Sequence, residues 1–111
     1  MLEPHTGGNK IPIEDYDLIR SQLEKFALSR PWSEKFRLIP RFKGQFCYVD
    51  VIKNGEEKPD PLLRLRHFSM TSWSFDFFSW GNEKYQPCAF PSGQAMGLPE
   101  DAIVACEAHI F

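Results

Sequence analysis

A chain of 111 residues, 42% hydrophobic and 25% charged, has room for one core rather than two and is too apolar to remain disordered throughout. Its formal net charge of −2 gives no overall pull toward nucleic acid or anionic membrane. No run approaches the roughly 18 consecutive apolar residues that span a bilayer.

Residues 1–12 are polar, contain Gly7-Gly8-Asn9 and two prolines, and read as a flexible lead-in. The first eight have neither a basic n-region nor an apolar h-region, so no secretory signal is expected. From residue 13 the pattern becomes helical. Tyr16, Ile19, Leu23 and Phe26 share one face, while Asp17, Ser21, Gln22 and Glu24 fall mostly away from it. Glu14, Asp15 and Asp17 sit where the positive end of the helix dipole favours carboxylates, and Pro31 disfavours helical geometry at Arg30. The spacing predicts a helix over 14–29.

The period then switches to two, in keeping with an aromatic fraction of 14% that includes ten phenylalanines. Residues 36–39 read as a short strand interrupted by Pro40, and Gly44 marks a turn or bulge. Residues 45–53 are apolar on both faces, as a central strand requires. Asn54-Gly55 is a strong turn signal, and the polar stretch 56–61 lengthens the connection. Strands follow at 62–68, 73–80 and 85–90; Pro87 lacks an N–H and makes the last of them an edge. Pro99, Glu100 and Asp101 resemble a helix start, predicting a short helix over 99–108. The expectation is one α+β domain over 13–111. An N-terminal helix packs on one face of a four- to five-stranded antiparallel sheet, with a short C-terminal helix, and the other face is at least partly open.

That open face, carrying Arg64, Arg66 and Asp76, is where function is expected. The segment 30–43 also stands out: Arg30, Lys35, Arg37, Arg41 and Lys43 against Glu34, interleaved with Trp32, Phe36 and Phe42. Cations beside stackable rings are the equipment of single-stranded nucleic-acid binding, although no patterned nucleic-acid module is present. Trp73 and Tyr85 beside arginines have the composition of a protein interface. The plain alternative is that the rings are core and the cations a solvated strand face.

Metal binding has little support. Cys47, Cys88, Cys106, His67 and His109 lack the paired spacing of structural zinc sites, so no metal and no cofactor are expected. The odd count of three cysteines argues against a secreted disulfide scaffold and for a reducing cytoplasm. A cysteine nucleophile at Cys88 or Cys47, with His67 as base and Asp76 or Asp50 orienting it, is conceivable but not demanded by the spacing. The same holds for paired carboxylates such as Asp76 and Glu83. Neither phosphate-binding loop nor dinucleotide fingerprint occurs. The balance leans away from an enzyme.

The stretches 41–50 (RFKGQFCYVD) and 82–90 (NEKYQPCAF), with Leu65-Arg66, Trp73 and the turn 97–100, resemble a family of small uncharacterised bacterial proteins of about this length. The resemblance implies a bacterial, cytoplasmic protein and carries over no catalytic residue. The expected function is a small binding domain that meets another protein, or itself, through the open face. The alternatives are a nucleic-acid-binding accessory protein using segment 30–43 with Arg64 and Arg66, and a small cysteine enzyme.

Overall fold

A computed structural model describes residues 5–109 of the chain. After a 3-10 turn at Ile13–Asp15, the first helix, α1, runs Tyr16–Leu28. Five strands follow: β1 (Phe36–Lys43), β2 (Phe46–Lys53), β3 (Asp60–Ser69), β4 (Ser72–Ser79) and β5 (Lys84–Cys88). The second helix, α2, spans Pro99–Cys106 and ends in a 3-10 turn. The strands form one antiparallel sheet in the order β1-β2-β3-β4-β5, a meander with no crossover. The fold is therefore α+β, with two helices and five strands among the described residues.

The helix face is apolar because the period of two keeps selecting the same residues. Ile19, Leu23 and Ala27 of α1 and Ala102, Ile103 and Cys106 of α2 bury against Leu38, Cys47, Val49, Leu63, Leu65, Trp73 and Phe75. Tyr16 stacks flat on Phe42, with centroids 4.2 Å apart, and pins the start of α1 to β1. Trp32, Trp73 and Phe75 are at most 1% exposed, and full burial of a side chain such as Phe75 is worth about 1.5–3 kcal/mol. Arg30 and Trp32 close the helix layer: Arg30 Nε and the Trp32 indole N–H each donate 2.7 Å bonds to Glu107 just beyond α2.

β1 does not stop at Pro40. It continues to Lys43, with Pro40 opposite Val49, because β1 is an edge strand and an edge position tolerates a residue without an N–H. Lys43 pairs with Phe46 across Gly44-Gln45, and Gly44 takes φ 59 at the first position of that two-residue turn. The other end of β2 is irregular, since the partner of β3 shifts between Val49 and Asp50 and leaves Leu62 as the extra residue of a bulge.

The described part of the lead-in, residues 5–12, crosses the lip of the sheet. Ile11 donates its N–H to the Gly44 carbonyl and is fully buried on the helix side. Asn9 donates to the carbonyls of His67 and Phe68, both at 2.7 Å. Gly8, at φ 102, passes so close to β3 that a Cβ there would stand 2.9 Å from the His67 carbonyl oxygen. Only glycine fits this turn of the chain around the sheet end. Residues 1–4 of the predicted lead-in lie outside the described residues.

Candidate functional site

The face away from the helices is organised in rows set by strand register. One row reads Arg41, Tyr48, Arg64, Asp76 and Pro87 across β1 to β5. The next reads Lys43, Phe46, Arg66 and Ser74 across β1 to β4. Arg37 and Asp50 lie on the same face, as do Phe78 and its partner Tyr85. Directly opposite side chains on neighbouring strands are within contact, so these rows alternate cation and ring by construction.

The contacts follow from that alternation. The Arg41 guanidinium lies over Tyr48 at 5.1 Å, Arg64 over Phe46 at 4.6 Å and Tyr85 at 5.0 Å, and Arg66 over Phe46 at 4.7 Å. Tyr48 meets Tyr85 edge-on, centroids 5.6 Å apart. Two buried carboxylates hold the guanidinium planes. Arg41 Nε donates to Asp50 at 2.8 Å, and Arg64 donates through Nε and Nη2 to Asp76 at 2.9 and 2.7 Å. The result is a set of rigid, flat cationic forks resting on rings.

The surroundings raise two of these arginines and lower the third. The hydrogen bond to Asp50 raises Arg41 above the ordinary arginine value. For Arg64, burial works downward but is outweighed by the bonds to and charge of Asp76, leaving it raised. Arg66 is lowered, first by burial and then by the like charge of Arg64 against the pull of Asp76. Burial pushes the Tyr85 phenol up, so it stays a neutral donor. The strand residues of this face carry five cations, Arg37, Arg41, Lys43, Arg64 and Arg66, against Asp50 and Asp76, in a chain whose net charge is −2. Positive charge is thus concentrated here.

Polar atoms in this region lack partners. Arg66 and Ser74 are 8% and 1% exposed, and Arg66 Nε and Ser74 Oγ have no hydrogen-bond partner among the described residues. A buried polar group left unsatisfied costs about 1–3 kcal/mol. His5 Nδ1, which likewise makes no hydrogen bond among the described residues, lies 3.5 Å from Asp76 Oδ1.

Of the candidate residues named from sequence, the structure gathers Arg37, Arg41, Lys43, Arg64, Arg66 and Tyr85 on this face. Arg30 is elsewhere, bonded to Glu107, and Lys35 is an exposed residue of the turn before β1. Trp73 is fully buried on the helix face, opposite His67. Segment 30–43 is therefore not one patch: Trp32, Phe36 and Phe42 belong to the core side, and only its alternate cations reach the open face. Phe46, Tyr48, Asp50 and Ser74 complete the site. Their signal in the sequence is alternation, but choosing them requires the register between strands.

The thiols sit in the wrong chemistry for nucleophiles. Burial pushes Cys47 and Cys106 up to about 12, and it raises Cys88 as well. His67 lies on the helix side of β3 with Nδ1 2.8 Å from the Asn9 carbonyl oxygen, whereas Asp50 and Asp76 project from the opposite face. No cluster of metal-ligating side chains occurs among the described residues, and the side chain of His109 lies outside them. No described helix is long and apolar enough to cross a membrane. A cleft of about 400 Å³ between the C-terminal part of α1 and β1 has a floor of Ala27, Leu28, Phe36 and Leu38 and a rim of Glu24, Ser33, Arg37 and Asn54.

Comparison with protein-family models, curated proteins and solved structures finds no match.

Proposed function

We propose that this chain is a small binding domain whose open sheet face recognises a protein segment rich in carboxylates. The observation that carries this reading is the ladder of arginines on Tyr48, Phe46 and Tyr85, each of two guanidinium groups fixed by a buried aspartate. Guanidinium groups held in place lose little freedom on meeting a further carboxylate, which meets them from the Nη1 side because Asp50 and Asp76 hold the Nε and Nη2 donors. Rim cations such as Arg37 and Lys43 add steering toward an acidic partner. Nucleic acid is the less favoured partner, because faces of Phe46, Tyr48 and Tyr85 are occupied by guanidinium planes, whereas base binding needs rings free to stack.

The test is a titration of the full chain with labelled poly-glutamate and, in parallel, labelled single-stranded DNA and RNA at low and physiological salt. Saturable binding of the peptide, lost in Arg41→Glu, is the expected result. Salt-sensitive binding of nucleic acid with none of the peptide would replace this reading with the nucleic-acid one. Sedimentation of the chain alone over a range of concentrations reads whether the acidic surface it meets is that of a second copy.

A further inference from the structure

We infer that the Arg66–Ser74 corner of the open face is a seat for a single carboxylate, covered in the free chain by the segment 5–7. The inference deepens the preceding reading by naming the group that one pocket of the face takes. Arg66 and Ser74 are directly opposite on β3 and β4, and such pairs have Cβ atoms about 4.5–5.5 Å apart. The two residues are therefore neighbours on one face. Arg66 Nε and Ser74 Oγ are both buried and both without a partner among the described residues. Nε is half of the edge through which a guanidinium grips a carboxylate with parallel bonds, and a serine hydroxyl supplies a further donor. Two unsatisfied donors at one cross-strand pair are the outline of a missing acceptor.

The cover has the same logic. Arg66 Nη1 donates to the Gly7 carbonyl at 2.8 Å, which leaves the Nε edge of the same guanidinium unpaired. His5 reaches the neighbouring Asp76 at 3.5 Å. These two contacts hold residues 5–7 over the corner. Behind them Asn9 is held more firmly, by its N–H on His67, its side chain on Phe68 and its carbonyl against His67 Nδ1. Between the two lie Gly7 and Gly8 at φ 68 and 102, where the backbone can swing about a fixed anchor. A carboxylate entering from the open face takes Nε and Oγ as its donors, on the guanidinium edge away from the Gly7 carbonyl at Nη1. Asp76, the nearby carboxylate on this face among the described residues, opposes it, and Arg64 already neutralises that charge through two bonds.

The experiment follows the Arg66 Nε–Hε and Ser74 backbone resonances of the ¹⁵N-labelled full chain during titration with sodium acetate, sodium phosphate, poly-glutamate and, at matched ionic strength, sodium chloride. Acetate is expected to shift both resonances saturably in the millimolar range while chloride does not. Ser74→Ala should weaken acetate about tenfold, the usual effect of losing a hydrogen bond to a charged group. Its melting temperature should hold or rise, because the hydroxyl it removes is unpartnered in the free chain. That separates the site from the fold, and Arg66→Lys, which keeps the charge but loses the fork, should weaken acetate similarly. Response to phosphate without acetate, response to neither, or an unchanged acetate affinity in Ser74→Ala overturns the inference. Poly-glutamate bound with Arg66 unmoved sinks the seat and leaves the face reading standing. Acetate bound at Arg66 with no peptide binding sinks the face reading and leaves the seat.

Discussion

On the helix side of the sheet, Cys47, Val49, Leu63, Leu65, Trp73 and Phe75 are fully buried beneath α1 and α2, and what they contribute is packing. On the other side the same five strands present Arg41, Tyr48, Arg64, Phe46, Arg66 and Tyr85, with Asp50 and Asp76 buried among them. Both faces are rich in rings. The difference is what lies against them: helices cover one side, with Arg20 over Phe42 at its margin, while on the other the rings carry Arg41, Arg64 and Arg66 and no helix. An uncovered face that holds three arginines on rings beside two buried aspartates is the basis for proposing recognition there, with stability resting on the helix-covered face.

The contrast breaks first on a matched pair of substitutions. Phe75→Ala, at a fully buried position, should cost about 3–5 kcal/mol of unfolding free energy in a denaturant titration. Tyr48→Ala should cost about 1 kcal/mol, the scale of a ring pair and a partly solvated cation–π contact. Its loss should fall instead on poly-glutamate affinity. Equal destabilisation by the two variants would make the open face a second core.

Within the open face a smaller gradient is expected. Asp76→Asn leaves Arg64, whose side chain is 24% exposed, without its anion, so the cost should fall somewhat below the about 3–5 kcal/mol of breaking a fully buried pair. Asp50→Asn frees Arg41, whose side chain is 55% exposed and can turn to water, and should cost about 1 kcal/mol or less. Chemical unfolding of both variants compares them directly.

The smallest effect concerns acid. Hydrogen bonding to Arg30, opposed by burial and aided by Trp32, holds the Glu107 carboxyl below the usual glutamate range. A group depressed in the folded state binds fewer protons there than when unfolded. Its stabilisation is therefore present above the unfolded pKa and lost as pH falls through the folded one. The melting temperature should decline more steeply on acidification in the parent chain than in Glu107→Gln. Parallel acid profiles would show that the bond contributes no pH dependence.

Much of the fold is legible in the residues because both periods are clean. The spacing of Tyr16, Ile19, Leu23 and Phe26 places α1, and Leu63 and Leu65 alternating with Arg64 and Arg66 places β3 and its two faces. Pro40 misleads as a break, since whether proline is tolerated depends on β1 being an edge, a fact of sheet order rather than local sequence. The site is legible only by halves. Arg37, Arg41 and Lys43 alternate with core residues, so adjacency in segment 30–43 joins side chains that the pleat then separates. Asp50, Ser74 and Asp76 come from other strands, and their meeting with Arg41, Arg66 and Arg64 depends on registers that no single segment encodes. Residues 5–9 meet the sheet through the Gly7 and Asn9 backbone and the His5 and Asn9 side chains, and every partner lies on β3 or β4, far along the chain, where local pattern cannot point to it.

The central claim, that recognition belongs to the open face, is tested most directly by mapping backbone amide shifts of the labelled chain during titration with poly-glutamate. The account predicts saturable shifts centred on Arg41, Tyr48, Arg64, Arg66 and Tyr85, with α1 and the cleft beside β1 unmoved. Shifts centred on Leu28, Phe36 and Leu38, or none at saturating peptide, would contradict it.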